Sequence, residues 1–301
     1  MEMKIKVDQN DIRLDKFLGT NTEFSREYIS KLIENEFVMV NGKIITKPAY
    51  KIKINDEIEF EDGLVQEYTF EAEDIPLDVV YEDDYLMIIN KPSGIVVHPG
   101  AGNKNHTLVN ALKYHTDNLS DVSGEFRTGI VHRLDKDTSG LMLVAKTNKV
   151  HELLSDDFKH KRVKREYLAL INGVFPSNKA KIDAPIGRSK TDFRKMEVCK
   201  DGKPAVTNLV VEKKYKNYTL VRLSLETGRT HQIRCHLAYI GYPVYNDPIY
   251  SKNVCTPYGQ FLHSTSIDFV HPITKKEIHY ECPINGEFKE CVDKLDKDSL
   301  L

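Results

Sequence analysis

Apolar residues near the start of the chain follow the spacing of amphipathic helices. Two triplets have the spacing i, i+3, i+4: Leu14, Phe17 and Leu18, then Ile29, Leu32 and Ile33. Residues at these positions share one helix face, so the pattern predicts two short helices that each bury one side. Ser25 precedes the second triplet and is a residue type that caps helix N-termini.

A hairpin is predicted directly after the second helix. Residues 37–40 (FVMV) are apolar, and they lead through Asn41-Gly42, a strong turn signal, into Lys43-Ile44-Ile45. We therefore expect residues 11–62 to form a helix-helix-hairpin module that suits recognition better than catalysis. The acidic residues 63–80, which include Gly63 and Pro76, are predicted to be a linker.

Longer apolar runs begin after residue 81 and are typical of strands. The candidate strands are residues 86–89, 141–145, 167–171 and 218–225. Fewer helical patterns lie between them. Residues 81–292 are therefore predicted to form an α+β domain with a mixed, largely antiparallel sheet and flanking helices.

The composition is that of an ordinary globular protein, with 40% hydrophobic and 29% charged residues in 301. No apolar run approaches the roughly 18 residues of a membrane span, and the start MEMKIKVDQN has no apolar signal segment. We expect a cytoplasmic, monomeric protein with no membrane partner. The five cysteines are widely spaced without a CxxC pair, which argues against a disulfide framework and a structural zinc site.

The net charge of −2 conceals a strong asymmetry along the chain. Residues 55–84 hold thirteen acids and no Lys or Arg. Subtracting that segment and the +2 of residues 1–54 from the total leaves +9 for residues 85–301. The densest basic run, KHKRVKR at 159–165, could follow a phosphate backbone, although such a run alone is more often a solvated face.

The stretch HRLDKDTSGL at 132–141 places one acid, Asp135, among basic residues. Short apolar runs flank it, so it is predicted to be a loop between two buried elements, where catalytic groups are common. Taken alone, an acid in such a loop more often pairs with a neighbouring base on a solvated turn. Further motifs are needed to decide.

Four stretches together resemble the RluA family of RNA pseudouridine synthases. They are NKPSGIVVHPG from Asn90, HRLDKDTSGL from His132, KREYLAL from Lys164 and TGRTHQIRCHLAYIGYPVYND from Thr227. The amino-terminal module resembles the RNA-binding domain shared with a small-subunit ribosomal protein. It departs from that pattern at Glu36, where the module usually carries a glycine.

The resemblance implies an isomerase that detaches uracil at N1, turns it and rejoins it to the sugar through C5. This chemistry needs no metal or redox cofactor. It needs a carboxylate near C1′ and C2′, a platform for the base and a pocket that excludes water. Asp135 is the implied carboxylate, acting either as nucleophile on the sugar or as base for the C2′ proton.

The resemblance also supplies partners for Asp135. Arg234 is the implied fixed cation, on a helix predicted from His231 to Ile240 with Thr230 as cap, apolar residues Ile233, Leu237 and Ile240, and Gly241 as stop. Tyr167 is the implied residue that stacks on the extruded base and can shuttle a proton. Residues expected to support the site are Lys91, Pro92 and His132.

The remaining predicted residues contact RNA. They are Arg133, Arg229, Lys161, Arg162, Lys164, Arg165 and, in the small module, Arg26, Lys31 and Lys43. The resemblance favours 23S ribosomal RNA as the substrate, with tRNA as the alternative. Two other functions stay open: a glycosidic hydrolase that uses Asp137 as second carboxylate, and an RNA-binding assembly factor with an idle site.

Overall fold

The computed structural model describes residues 2–24, 26–61, 71–99, 103, 105–124, 127–192, 194–252 and 254–298. The chain divides into two compact units, Met1–Thr69 and Phe70–Leu301, and the division falls inside the predicted linker. Ser25, the expected helix cap, and Gly63 of the linker lie outside the described residues.

The small unit has two helices and six strands among its described residues. In chain order they are β1 (Glu2–Lys6), β2 (Ile12–Arg13), α1 (Leu14–Asn21), α2 (Arg26–Glu34), β3 (Val38–Val40), β4 (Lys43–Ile44), β5 (Lys51–Ile52) and β6 (Glu57–Glu61). The sheet order is β1-β6-β3-β4, and β2 pairs with β5. The predicted helices and hairpin are confirmed, whereas β1 is an additional strand that lies before residue 11 and pairs with β6.

Several turn residues of the small unit have positive φ angles. Asn41 and Gly42 have φ of 52° and 72°, as the Asn-Gly signal predicts. Glu36, two residues after the end of α2, has φ of 69°. The C-terminal end of a helix commonly places glycine in this left-handed conformation, so Glu36 has the backbone conformation expected of the glycine that the family resemblance predicts at this position.

The large unit is built around one long sheet. Its elements are β7 (Val79–Glu82), β8 (Leu86–Lys91), α3 (Leu108–His115), β9 (Ser139–Ala145), α4 (Asn148–Lys159), β10 (Lys164–Asn172), β11 (Lys179–Asp183), β12 (Ile186–Arg188), β13 (Met196–Val198), β14 (Val206–Lys214), β15 (Tyr218–Leu225), α5 (Gln232–Tyr239), β16 (Leu262–Val270), β17 (Glu277–Glu281) and α6 (Gly286–Asp298). The order is β11-β14-β15-β10-β16-β9-β8-β7, β17 also pairs with β16, and β12 pairs with β13. Only β16 and β9 run parallel among the described strands, so the predicted mixed, largely antiparallel sheet is confirmed.

Both faces of the central strands are covered, which explains their continuous apolar sequences. In β9, Leu141 and Leu143 pack in one cluster with Val150 and Leu154 of α4. The alternate residues of β9 point the other way and join a second cluster with α3 and α5. A strand buried on both faces needs no polar alternation.

Gly140 lies where β9 meets β16 in parallel, at the end of the loop that carries Asp135. Its φ is 110°, and a Cβ built on it would lie 2.3 Å from the carbonyl oxygen of Ser264. Two backbones can approach this closely only at glycine. The described part of the chain includes no helix with the length and apolar character needed to cross a membrane.

Candidate active site

Lys91, at the end of β8, holds the loop of residues 132–138 in place. The side chain is fully buried. Its Nζ donates to three backbone carbonyl oxygens, those of Pro92 at 2.7 Å, Ile95 at 2.9 Å and Lys136 at 2.8 Å. Burial lowers the pKa of Lys91 to about 7, because the negative charges of Asp137 and Asp135 offset only part of the cost of desolvation.

Two further contacts fix the same loop. Ser93 Oγ lies 2.5 Å from the carbonyl oxygen of Tyr258 and 3.1 Å from that of Asp137, and its one hydrogen is shared between the two acceptors. His132 Nε2 accepts a 2.9 Å hydrogen bond from the backbone of Leu143 in β9, and its ring packs on Phe158 with centroids 4.5 Å apart. Burial, with a smaller effect from the charge of Arg165, lowers the pKa of His132 well below its usual value, so the ring is neutral.

Asp135 and Arg234 are joined directly, although they are 99 residues apart. Arg234 Nη1 donates to Asp135 Oδ2 at 2.9 Å. The Arg234 side chain is 3% exposed, and that of Asp135 is 18% exposed. The carboxylate therefore reaches the cavity while the guanidinium that holds it is buried in the protein.

Asp247 holds the other side of the Arg234 guanidinium, a role that the sequence does not reveal. Arg234 donates from Nε to Asp247 Oδ2 at 2.7 Å and from Nη2 to Oδ1 at 2.9 Å. Oδ1 also accepts hydrogen bonds from the backbone N–H groups of Ile249 and Tyr250, and these bonds fix the position of the Asp247 carboxylate. The only sequence signal is the turn-like YNDPIY at the end of the fourth motif.

These contacts decide the charge state of the pair. Burial acts to raise the pKa of Asp135, but the positive charge and hydrogen bond of Arg234, with a smaller effect from the charge of Arg133, bring it below its usual value. Desolvation opposes the charged form of Arg234, but Asp247 and Asp135 outweigh it and raise its pKa. The site thus holds an ionised carboxylate and a permanent cation.

The start of α5 differs from the prediction. The capping residue is His231, with φ of 54° and ψ of 19°, and not Thr230. The backbone N–H of Arg229 and the hydroxyl of Thr227 both donate to Gln232 Oε1. The side chain of the first residue of α5 therefore provides the hydrogen-bond acceptor for the loop that precedes the helix. The expected stop is confirmed, because Gly241 has φ of 86° and its N–H bonds to Ala238.

A cavity of about 630 Å³ is lined by Asp135, Tyr167 and Arg234 together. Tyr167 is 4% exposed in β10, where it pairs with Leu223 on one side and Ser264 on the other. A register shift between Glu166 and Tyr167 interrupts the pairing with β16 at this point. Such bulges redirect a side chain and are frequent next to active sites.

The predicted RNA-contacting residues of the large unit fall into two groups. Arg133, Lys161, Arg165 and Arg229 line the cavity, as does Lys159, which was not among the predicted residues. Arg162 and Lys164 do not line it. The guanidinium of Arg162 instead forms ion pairs with Asp156 and Asp157 of α4.

Arg165 and Arg133 differ in their surroundings within this group. The Arg165 guanidinium lies 5.1 Å from the centroid of the Phe158 ring, and its buried Nε has no hydrogen-bond partner among the described residues. Arg133 is exposed, and its Nη1 lies 3.5 Å from His98 Nε2. Both guanidinium groups therefore present positive charge at the cavity.

The three predicted residues of the small unit are placed differently. Arg26 donates to Asp15 Oδ2 from Nε and Nη2 at 3.0 and 2.9 Å, and Arg13 holds the same carboxylate. Lys43 is exposed on β4, and Lys31 lies in the last turn of α2. Arg26 therefore forms an ion pair with a residue of its own unit.

Asp137 does not line the cavity. It is therefore not placed to act as the second catalytic carboxylate that a glycosidic hydrolase would need. Its side chain packs against Gly259, where an added Cβ would lie 2.2 Å from the Asp137 Cβ. Of the described residues, Asp135 and Glu226 are the acids that line the cavity, and Glu226 is paired with Lys181 at 2.9 Å. The parts of the chain that the structure describes contain no cluster of three or more His, Cys, Asp or Glu side chains able to hold a metal ion.

Comparison with known proteins gives consistent matches over both units. A family model described as RNA pseudouridylate synthase matches residues 85–239, and one described as S4 domain matches residues 12–58. The uncharacterized RNA pseudouridine synthase YlyB of Bacillus subtilis is 41% identical over 293 residues, which cover 97% of this chain and 96% of the relative.

Two further relatives are named ribosomal large subunit pseudouridine synthase D. That of Vibrio parahaemolyticus is 39% identical, covering 98% of this chain and 94% of its own. That of Escherichia coli is 38% identical, covering 99% of this chain and 95% of its own. Among solved structures, human RNA Pseudouridylate Synthase Domain Containing 1 is similar in fold, with a TM-score of 0.59 and 24% identity over 75% of this chain and 96% of its own.

Proposed function

This chain belongs to the RluA family of RNA pseudouridine synthases and carries an S4 domain, and we propose that it isomerises specific uridines of 23S ribosomal RNA. Two relatives that match over nearly their whole length are named for the large ribosomal subunit. The family fixes the reaction class, an isomerisation of uridine in RNA. The choice of ribosomal RNA over tRNA is the proposed part.

The observation that carries the site assignment is the 2.9 Å contact between Arg234 Nη1 and Asp135 Oδ2 in the cavity wall. In the proposed reaction, Asp135 acts at C1′ or C2′ of the target ribose while the N1–C1′ bond breaks. The detached uracil turns, a C5–C1′ bond forms, and the C5 proton is lost while N1 gains one. Atoms and electrons balance without a second substrate.

Arg234 keeps Asp135 ionised in a place where burial alone would favour the neutral acid. A neutral acid could neither attack the sugar nor remove a proton from it. The buried Asp247 in turn prevents Arg234 from turning towards solvent. We propose that these three side chains act as one preorganised charged unit, which a water-excluding cavity strengthens.

Tyr167 is proposed to be the platform for the extruded base. The residue is 4% exposed and lines the same cavity as Asp135. Stacking on an aromatic ring contributes about 1 to 3 kcal/mol per base, comparable to the few kcal/mol that base extrusion requires. We further propose that its hydroxyl takes part in moving the C5 proton.

The basic residues that line the cavity are proposed to bind the phosphates around the target nucleotide. Lys159, Lys161, Arg165 and Arg229 line the same cavity as Tyr167. Neutralised phosphates release counterions, so binding is expected to weaken steeply as salt rises. In the S4 domain, Lys31 and Lys43 are proposed RNA contacts, and Arg26 is proposed to hold Asp15 and face RNA with its remaining surface.

The substrate is tested by incubating the protein separately with unmodified 23S ribosomal RNA and with bulk tRNA. Pseudouridine is then located by carbodiimide adducts that stop primer extension. New stops confined to 23S ribosomal RNA are expected. Stops in tRNA alone would overturn the proposed substrate while leaving the reaction class intact.

A further inference from the structure

His231 faces the carboxylate of Asp135 from an uncommon backbone conformation. Its φ of 54° and ψ of 19° lie in the left-handed region that non-glycine residues seldom adopt. The side chain lines the cavity, and Nε2 lies 3.9 Å from Asp135 Oδ1. This distance is too long for a hydrogen bond, so the two atoms face each other without a direct bond.

The hydrogen bonds of Tyr250 determine which nitrogen of His231 carries the proton. Tyr250 Oη donates to the carbonyl oxygen of Met196 at 3.0 Å and accepts from the Met196 N–H at 2.9 Å. It also lies 3.2 Å from His231 Nδ1. A hydroxyl has one hydrogen and two acceptor positions, so His231 Nδ1–H is the donor in this last contact.

The nitrogen on the cavity side, Nε2, is therefore left with a lone pair. Burial lowers the pKa of His231 although the charge of Asp135 acts in the opposite direction, so the imidazole is neutral. The cavity wall then presents two hydrogen-bond acceptors side by side, Nε2 and the Asp135 carboxylate. Two adjacent acceptors require a donor from the ligand, because each would otherwise lose its solvation when RNA fills the cavity.

We propose that His231 Nε2 accepts the hydrogen of the 2′-hydroxyl of the target uridine and makes the site selective for ribose over deoxyribose. The inference rests on the proposed role of Asp135 at C1′ or C2′, because a sugar placed there brings its 2′-oxygen next to this carboxylate. A hydroxyl donates one hydrogen. Donation to His231 leaves both Asp135 oxygens available for the reaction.

The test compares two substrates in several variants of the full-length protein. The substrates are the RNA segment that the parent protein modifies, with either uridine or 2′-deoxyuridine at the mapped position. For each protein, kcat/KM is measured on both and expressed as a ribose-to-deoxyribose ratio. The ratio cancels any general loss of folding or activity in a variant, since such a loss reduces both rates equally.

His231→Phe is expected to lower this ratio about 10-fold relative to the parent, the effect of losing one hydrogen bond to a neutral acceptor. His231→Gln, whose amide oxygen can accept a hydrogen bond, is expected to recover part of the preference. Tyr85→Phe is the matched control, because Tyr85 does not line the cavity, and its ratio should equal that of the parent.

Equal ratios in the parent, His231→Phe and His231→Gln would overturn the proposed contact. A parent protein that forms no pseudouridine in any RNA would instead overturn the proposed function. The two failures are therefore distinguishable, because the first requires an active parent protein.

Discussion

Arg234 Nε donates a 2.7 Å hydrogen bond to Asp247 Oδ2, and the two side chains are 3% and 0% exposed. The same guanidinium holds Asp135, so one buried arginine joins a carboxylate that reaches the cavity to one that does not. Asp247 cannot touch the substrate from this position. Its effect on the reaction has to pass through Arg234, and it is a positioning residue.

Asp247→Asn is predicted to impair both stability and turnover. It leaves a buried guanidinium with one fewer charged partner, which costs about 3 to 5 kcal/mol in the free energy of unfolding. It also frees Arg234 to shift, and a misplacement of about 1 Å can reduce kcat about 100-fold. Urea unfolding and single-turnover kinetics measure the two effects separately.

The matched control is Asp293→Asn, which makes the same chemical change in an exposed ion pair with Lys289 one turn earlier in α6. Exposed pairs contribute at most about 1 kcal/mol, so this variant should resemble the parent in both assays. Turnover at the parental rate in a folded Asp247→Asn protein would contradict the positioning role.

Lys91→Met is predicted to change how stability depends on pH. The pKa of Lys91 is about 7 in the folded protein and near its usual 10.5 when unfolded. Between these values the unfolded chain binds the additional proton, so the parent gains stability as pH rises from 7 towards 10.5, by up to about 1.4 kcal/mol per pH unit.

The variant lacks this ionisable amine, so its stability should depend less on pH. Its stability should also be lower overall, because the carbonyl oxygens that Lys91 contacts lose their hydrogen-bond donor. Urea unfolding from pH 7 to pH 10 measures both slopes. Equal slopes in the parent and Lys91→Met would show that Lys91 is not titrating in this window.

Gly140→Ala is predicted to prevent stable folding of the large unit. The added Cβ would lie 2.3 Å from Ser264 O, a backbone atom that cannot yield without separating β9 from β16. We expect a loss above about 3 kcal/mol, typical of severe overpacking. Gly241→Ala is the control, because Gly241 also has a positive φ but open space around it, and should cost only about 1 to 2 kcal/mol.

Arg165→Gln and Arg162→Gln are predicted to affect RNA binding differently, because one arginine lines the cavity and the other is paired with acids. Arg165 lines the cavity, whereas Arg162 is paired with Asp156 and Asp157. If Arg165 binds a phosphate, its loss should make the plot of log K, where K is the RNA association constant, against log salt concentration less steep by about 1. Arg162→Gln should leave the slope near that of the parent, and equal slopes for both variants would contradict the distinction.

Local sequence patterns predicted the elements well because burial in this fold follows them closely. The continuous apolar run at 141–145 is a strand buried on both faces, and Asn41-Gly42 forms the expected turn. The helix start at Thr230 was wrong because Gln232 bonds back to Thr227 and Arg229 and moves the cap to His231. The capping preference of a single residue type does not predict hydrogen bonds of this kind between side chains and a neighbouring loop.

The site was predictable only in part. Asp135, Tyr167 and Arg234 were proposed from motifs, and the structure brings all three to one cavity. Asp247 was missed because its importance arises from a contact with Arg234 that no local pattern encodes. Arg162 and Arg165 are three residues apart in one basic run, yet only tertiary contacts show that Arg162 is occupied by acids.

The most direct test of the account is pseudouridine formation by Asp135→Asn in the RNA that the parent modifies. The amide keeps the shape of the side chain and can still accept one hydrogen bond from Arg234, but it lacks the negative charge. We predict RNA affinity within a few-fold of the parent and no detectable carbodiimide-dependent stop. A variant that binds RNA equally and forms pseudouridine at the parental rate would contradict the assignment of Asp135 as the catalytic group.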